Sequence, residues 1–207
     1  MKTNNFTYTS DIAFTPAVKA LQKKYHSRKG YARMEQSGGW QTEVNEGLEQ
    51  FLTTIDSFYL ATSNSDGQPY IQHRGGPKGF LKKLNNRMLA FADYRGNKQY
   101  ISAGNLNENN KSFIFLMDYP NRTRIKIWGS AKVEYDDKAL IKSLSDSNYN
   151  AHPERAIIFT VEAWDVNCPQ HITPRFTEEQ VRQVTDPLKK RIKELEAKLG
   201  LTKDNQN

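Results

Sequence analysis

Cysteine occurs once in 207 residues, at Cys168. A lone thiol excludes an intramolecular disulfide and a structural zinc site built from several thiolates, and it points to a reducing compartment, the cytoplasm. Long apolar runs are also missing. No stretch approaches the roughly 20 residues of a membrane span, and the opening MKTNNFTYTSDIAFT has no apolar core for a secretion signal. Acidic residues are the minority, 23 against 30 lysines and arginines, which leaves a formal charge of +7. That excess admits nucleic acid, anionic lipid or a small phosphorylated ligand and does not choose among them. Internal repeats and low-complexity linkers are absent, so the chain reads as a single domain over 1–207 with one substantial core.

What is present changes period twice. In a first segment, 1–56, TPAVKALQKKY sets Val18, Leu21 and Tyr25 on one helical stripe, with Thr15 as cap and Pro16 at the first helical position. YARMEQSGGW breaks that pattern with a glycine pair. TEVNEGLEQFLTTI predicts a second helix, capped by Thr42, whose Val44, Leu48, Phe51, Leu52 and Ile55 cover a sheet. Over 57–176 the period becomes two. FYLATSNSDGQPYIQHRGG predicts a hairpin turning at Asp66-Gly67, and RMLAFADY, KSFIFLMDY, RIKIWGSAKVEYD and RAIIFTVEAW continue the series. In RIKIWGSAKVEYD, Ile125, Ile127, Gly129, Ala131 and Val133 share one face, and Arg124, Lys126 and Trp128 the other. Six strands separated by turns and little helix predict a mainly β protein, an antiparallel barrel. Over 177–207, Val181, Val184, Leu188, Ile192, Leu195 and Leu199 make one apolar helical stripe that must dock on its own barrel or on another subunit. Gly200 ends the helix, and LTKDNQN reads as a frayed tail.

Three constellations carry candidate chemistry. In RGNKQY, Asn97 as cap of a short helix through KQYISAGNL would aim free amides at an anion, with Arg95 and Lys98 adding full charges beside it. A solvated turn is the competing reading. In YIQHRGGPKGF, Tyr70, Gln72 and Arg74 share one strand face and Ile71 and His73 the other, and Gly75-Gly76 would let a flat ligand approach the backbone. Read singly, Arg74 fits a surface residue, His73 a packing residue, and Arg124 and Lys126 an ordinary charged face. EAWDVNCPQHI gathers Trp164, Asn167, Cys168, Gln170 and His171 at the end of the final strand. One Cys and one His make neither a zinc set nor a nucleophilic dyad, so no metal is expected there. A polar turn with an aromatic anchor, edging a planar heterocycle, fits better.

Taken together, FYLATSNSDGQPYIQHRGGPKGFL, LAFADYRGNKQYISAGNLNENNKSFIFLMDYP, RIKIWGSAKV and EAWDVNCPQHITPRF resemble the FMN-binding split barrels related to pyridoxamine 5'-phosphate oxidase, over about residues 50–176. The resemblance implies a six-stranded antiparallel split barrel, a homodimer, and one FMN per subunit at the dimer interface. By position it puts Gln72, His73, Arg74 and Gly75 along the flavin and Arg95, Asn97, Lys98 and Gln99 at its phosphate. It also puts Arg124 near the isoalloxazine of the partner's flavin, and Asn167, Gln170 and His171 near the flavin edge. Lys126 is left out. The chain departs from the vitamin B6 oxidases proper: their closing Arg-Leu-x-Pro signature gives way to PQHITPRF, and their Arg-x-Val-Leu-Leu-Lys strand to QHRGGPK. The expected protein is therefore an FMN-dependent oxidoreductase acting on an unknown small molecule, with no catalytic residue assigned. A flavin carrier or sensor on the same fold is the alternative, as is a deazaflavin or haem in the cavity. A nucleic-acid binder is a further rival; the scatter of basic residues and the lack of an aromatic platform argue for no nucleic-acid partner, and the hydropathy for no membrane.

Overall fold

The computed structural model describes residues 7–200, so the tail expected at 201–207 lies outside the described residues. Seven strands, β1 (Ser57–Ser63), β2 (Pro69–Gly75), β3 (Lys82–Asn85), β4 (Met88–Tyr94), β5 (Lys111–Asp118), β6 (Thr123–Glu134) and β7 (Pro153–Asn167), form one antiparallel sheet in the order β2-β1-β5-β6-β7-β4-β3. The helices are α1 (Pro16–Lys24), α2 (Arg28–Gln36), α3 (Glu46–Thr54), α4 (Ile101–Glu108), α5 (Lys138–Leu144) and α6 (Glu178–Lys198). The result is the expected mainly β split barrel with peripheral helices and a long C-terminal helix.

Its details follow from local chemistry. Thr15 caps α1 by accepting from Val18 N at 3.3 Å, as expected. Asn45 rather than Thr42 caps α3, its Oδ1 accepting from Leu48 N at 2.9 Å. The segment before Asn45 is held extended because Val44 N donates to Asn86 O at 2.7 Å, which delays the helix. Leu48, Leu52 and Ile55 then join Phe58, Leu60, Ile114, Ile127 and Phe159 in the barrel core. Three short elements are additions to the sequence-based expectation. Strand β3 spans only four residues, α5 only seven, and α2 buries no apolar residue, only Glu35, which accepts from Arg28 and from Ser10 Oγ. None of them carries a periodic apolar signal long enough to read.

On β6, Ile125, Ile127, Gly129 and Ala131 face inward as predicted. Gly129 sits at a register shift between β6 and β7. A Cβ there would lie 2.0 Å from Thr160 O and 2.7 Å from Phe159 Cε1, so the close approach of the two strands requires glycine.

The sheet does not close on itself. Strand β2 is one edge, β4 lies next to the other, and between them runs a seam. Arg74 on β2 donates to Asp93 on β4 across it, above the mutually packed rings of Phe58, Phe80 and Phe91. The bareness of Gly76 serves Phe80, whose Cγ would stand 2.7 Å from an added Cβ. Thus at Gly76 the glycine pair admits a core ring where a flat ligand was expected. Helix α6 is capped by Thr177 with Gln180 in a reciprocal box, and no residue of it is buried. All six residues of its apolar stripe are exposed, so it does not dock on its own barrel.

Candidate functional site

A cleft opens where the seam meets the segment between β4 and α4. Gln72 and Arg74 reach it from β2, Asp93 from β4, Asn97, Lys98 and Gln99 from the connecting segment, and Arg155 from β7. The alternation of β2 is as predicted, with Tyr70, Gln72 and Arg74 half-buried on the cleft side and Ile71 and His73 exposed. Ser102 Oγ on α4 donates to Gln72 Oε1 at 2.8 Å and fixes that amide. His73 and Gly75 join Gln72 and Arg74 in an adjoining recess of the same seam.

The connecting segment is strained. Lys98 (φ 60°) and Tyr100 (φ 54°) both occupy the left-handed region, each at a cost of about 1–3 kcal/mol for a non-glycine residue. Such strain persists only where the surroundings impose it. This backbone also overturns the expected cap: α4 begins at Ile101 behind Tyr100 without a side-chain cap, and Asn97 Oδ1 instead accepts from Gln99 N at 3.2 Å. Asn97 shapes a turn, four residues ahead of the helix.

Charges alternate along the cleft floor. Arg74 donates to Asp93, Arg155 Nε lies 3.2 Å from Asp93 Oδ2, Arg155 donates to Glu154, and Arg95 Nε donates to Glu154 Oε1 at 2.8 Å. The hydrogen bond from Arg95 holds the Glu154 carboxyl below its ordinary range, against a smaller opposing effect of desolvation. For Arg155, burial works against the charge. Its hydrogen bond with Tyr135 and the nearby Asp93 and Glu154 carboxylates more than compensate, so its pKa rises. Even so, Nε of Arg74 and Nε of Arg155 are buried without a hydrogen-bond partner. Buried unpaired donors are rare and cost about 1–3 kcal/mol each, and here both belong to residues that line the cleft.

The remaining candidates lie elsewhere. Arg124 and His171 line a second cavity of about 660 Å³ with Tyr59, Ile71, Phe113 and Phe115, on the other side of β2. Asn167 is in register with Arg124 across β6 and β7 but does not line that cavity, and Gln170 is exposed and lines neither. Arg95 stands at the rim of the cleft, 54% exposed and held by Glu154. The Trp164 indole does not edge a ligand: it is buried in the core and its Nε1 donates to Glu43 O at 2.7 Å. Lys126, left out above, pairs with Asp165 at 3.2 Å beneath the stacked rings of Trp40 and Trp128. Asp93, Tyr100, Ser102, Glu154 and Arg155 escaped the sequence reading. For Asp93 the signal was a single charge at the end of an apolar strand, and for Arg155 a charge beside Glu154 at the start of one.

Fold and site together define a split barrel with a cationic cleft at its seam. Residues 44–168, more than half of the chain, match the family model for pyridoxamine 5'-phosphate oxidase, and the chain belongs to that family. Several solved structures resemble part of the chain at low similarity. HupZ of Group A Streptococcus is 14% identical and superposes with a TM-score of 0.49, covering 64% of this chain and 98% of HupZ. An FMN-binding protein from Syntrophomonas wolfei is 11% identical, with a TM-score of 0.46 over 73% of this chain and 97% of its own. A protein from Clostridium acetobutylicum related to general stress protein 26 is 15% identical, with a TM-score of 0.42 over 61% and 89%. No curated protein matches the sequence. Among the described residues, no helix is long and apolar enough to cross a membrane, and no group of three or more His, Cys, Asp or Glu is arranged to hold a metal ion.

Proposed function

We propose that the chain binds FMN in the seam cleft and works as an FMN-dependent oxidoreductase on a small planar or conjugated molecule. The observation that carries this reading is the pair of guanidiniums, Arg74 and Arg155, that line one cleft together with Lys98 and whose donors the neighbouring carboxylates do not all satisfy. Such a donor set suits a phosphate, which accepts several charge-assisted hydrogen bonds at once. Gly96 lines the same cleft, and a Cβ there would meet nothing within 4 Å, so a ligand has room beside the backbone. Asn97, Lys98 and Gln99 would hold the phosphate with Arg74, and Gln72, His73 and Gly75 lie on the strand expected beside the ring. When bound, FMN supplies the electron-accepting and electron-returning ring, so the protein need only bind, orient and exclude water.

The reading includes a homodimer. The outer faces of β1, β2 and β5 expose Tyr59 and Ile71 and leave Phe113 and Phe115 half-covered around the second cavity. A second copy seated there would bury this apolar patch and bring Arg124, whose Nε is also buried and unpaired, toward the partner's flavin. An absorption spectrum of the purified protein tests the cofactor: two visible bands are expected, and acid release followed by mass measurement should return FMN. A colourless protein that fails to take up FMN on dialysis overturns the reading. Turnover of reduced nicotinamide with a panel of acceptors separates the enzyme from a flavin carrier, which would stay yellow without cycling.

A further inference from the structure

We infer that Arg155 forms, with Arg74, a buried second tier of the anion site, and that Asp93 is the counter-ion tuning this tier to a dianionic phosphomonoester over a neutral flavin or a phosphodiester. The inference rests on the FMN reading and deepens it by assigning a residue from β7, outside the segments that carry the resemblance to phosphate binding.

Three observations converge. First, Arg155 is only 7% exposed, yet it lines the cleft, and its Nε–H is unused although Asp93 Oδ2 lies 3.2 Å away, because the alignment is poor. Each guanidinium has five N–H donors, and the two carboxylates on the cleft floor do not satisfy them all. Second, the guanidinium is held over the rings of Tyr100 and Tyr135, at 4.9 and 5.6 Å from their centroids. Tyr100 reaches that position through its left-handed backbone. The strain in this segment thereby gains a purpose: it orients a buried cation before any ligand arrives, which lowers the ordering cost of binding.

Third, the charges balance in an informative way. Arg74, Arg95 and Arg155 face Asp93 and Glu154, which leaves one positive charge, and Lys98 raises the excess to two. A phosphomonoester carries about two negative charges near neutral pH. A phosphodiester carries one, and riboflavin none. Asp93 sits between Arg74 and Arg155 and prevents a surplus that would hold any anion indiscriminately.

The test uses the full chain, with dissociation constants for FMN, riboflavin and riboflavin 4′,5′-cyclic phosphate, a singly charged phosphodiester, measured by flavin fluorescence at fixed ionic strength. Variants are Arg155→Lys, Arg155→Gln and Asp93→Asn, each checked for fold by circular dichroism and apo melting temperature. Arg155→Lys keeps the charge and loses the planar fork, so it remains informative if Arg155→Gln does not fold. The expected result is FMN weakened about tenfold or more in Arg155→Lys while riboflavin moves less than about twofold. Asp93→Asn, which raises the local positive excess by one, should tighten FMN and the cyclic phosphate while riboflavin moves less than about twofold, and unchanged affinity for both anions would overturn the counter-ion role of Asp93. Equal losses for FMN and riboflavin would make Arg155 a purely structural ion and overturn the inference. An unchanged FMN affinity in Arg155→Lys overturns it as well, with the FMN reading left standing. If the wild-type protein takes up no FMN, that reading falls, and inorganic phosphate decides the present inference. A melting-temperature rise with phosphate that disappears in Arg155→Lys upholds the anion tier; no rise in the wild-type protein overturns it.

Discussion

Lys98 and Arg95 stand three residues apart in one cationic segment, yet their surroundings give them different work. Arg95 is half-exposed and committed to Glu154, whereas Lys98 lines the cleft. Under the FMN reading, Lys98→Ala should weaken FMN about tenfold, the worth of one charge-assisted hydrogen bond, and Arg95→Ala by less than about threefold. Equilibrium dialysis of the two variants checks the split, and equal losses would return Arg95 to the phosphate. The same pair predicts a pH dependence. The hydrogen bond from Arg95 puts the folded-state pKa of Glu154 below its ordinary 4.5. The pairing is therefore fully present above 4.5 and is lost as the pH falls through the lower, folded value. A carbon NMR titration of the Glu154 carboxyl should show a midpoint under 4.5 that moves back toward it in Arg95→Ala. These residues also mark the limit of what sequence reveals. Lys98 and Arg74 were legible because each stands among glycines and other polar residues, in RGNKQY and QHRGG, and such clusters are conspicuous. Asp93 closes an otherwise uncharged strand and Arg155 opens one beside Glu154, and only the seam between β2 and β4 explains why the opposite charges of Asp93 and Arg155 can be buried together.

Elements were legible in proportion to the length of their apolar pattern. The inward row of β6, the β1–β2 hairpin and the stripe of α6 were all evident, whereas β3, α2 and α5 carry too few apolar residues to announce themselves. Gly129 belonged to the inward row, but what fills its place, Thr160 O and the Phe159 ring, comes from a strand thirty residues away. Because the clashing atom is backbone and cannot rotate aside, Gly129→Ala should destabilise the barrel by about 3 kcal/mol or more. Gly104 in α4 is the control: a Cβ there meets nothing within 4 Å, so Gly104→Ala should be neutral or stabilise by about 0.5–1 kcal/mol. Urea midpoints of the two variants decide the matter, and parity between them would show that the strands can spread at the bulge. Helix α6 poses the opposite case. Its stripe predicted docking, and the subunit itself offers none, since no residue of α6 is buried. Deleting residues 177–207 should therefore leave the melting temperature of the remaining chain within a few degrees; a large drop would reveal a contact that α6 makes only in the assembled protein.

At the scale of the whole molecule, an open seam and an uncovered sheet face meet at strand β2. A fully closed barrel would have no edge at β2 and no cleft for Arg74 and Arg155, and the outer face of β1 and β5 lies beside that edge. The dimer proposed above uses that face, and Ile71 is the residue through which to test it. It is 64% exposed on an edge strand, with its side chain on the side away from the cleft. Replacing it with aspartate removes little burial within a subunit, so the stability of an isolated subunit should change by less than about 0.5 kcal/mol, as for an ordinary surface substitution. In the assembled protein the same change puts a charge into an apolar interface, where an unpaired ion is strongly disfavoured. Ile71→Asp should thus sediment as a monomer where the wild-type chain sediments as a dimer. Because the flavin ring is proposed to lie against the neighbouring subunit, FMN affinity should fall as the dimer is lost, and unfolding in urea should lose its dependence on protein concentration. A variant that remains dimeric and binds FMN normally would move the interface to another face. One that turns monomeric yet keeps its FMN would leave the cleft sufficient in a single subunit and remove Arg124 from the site.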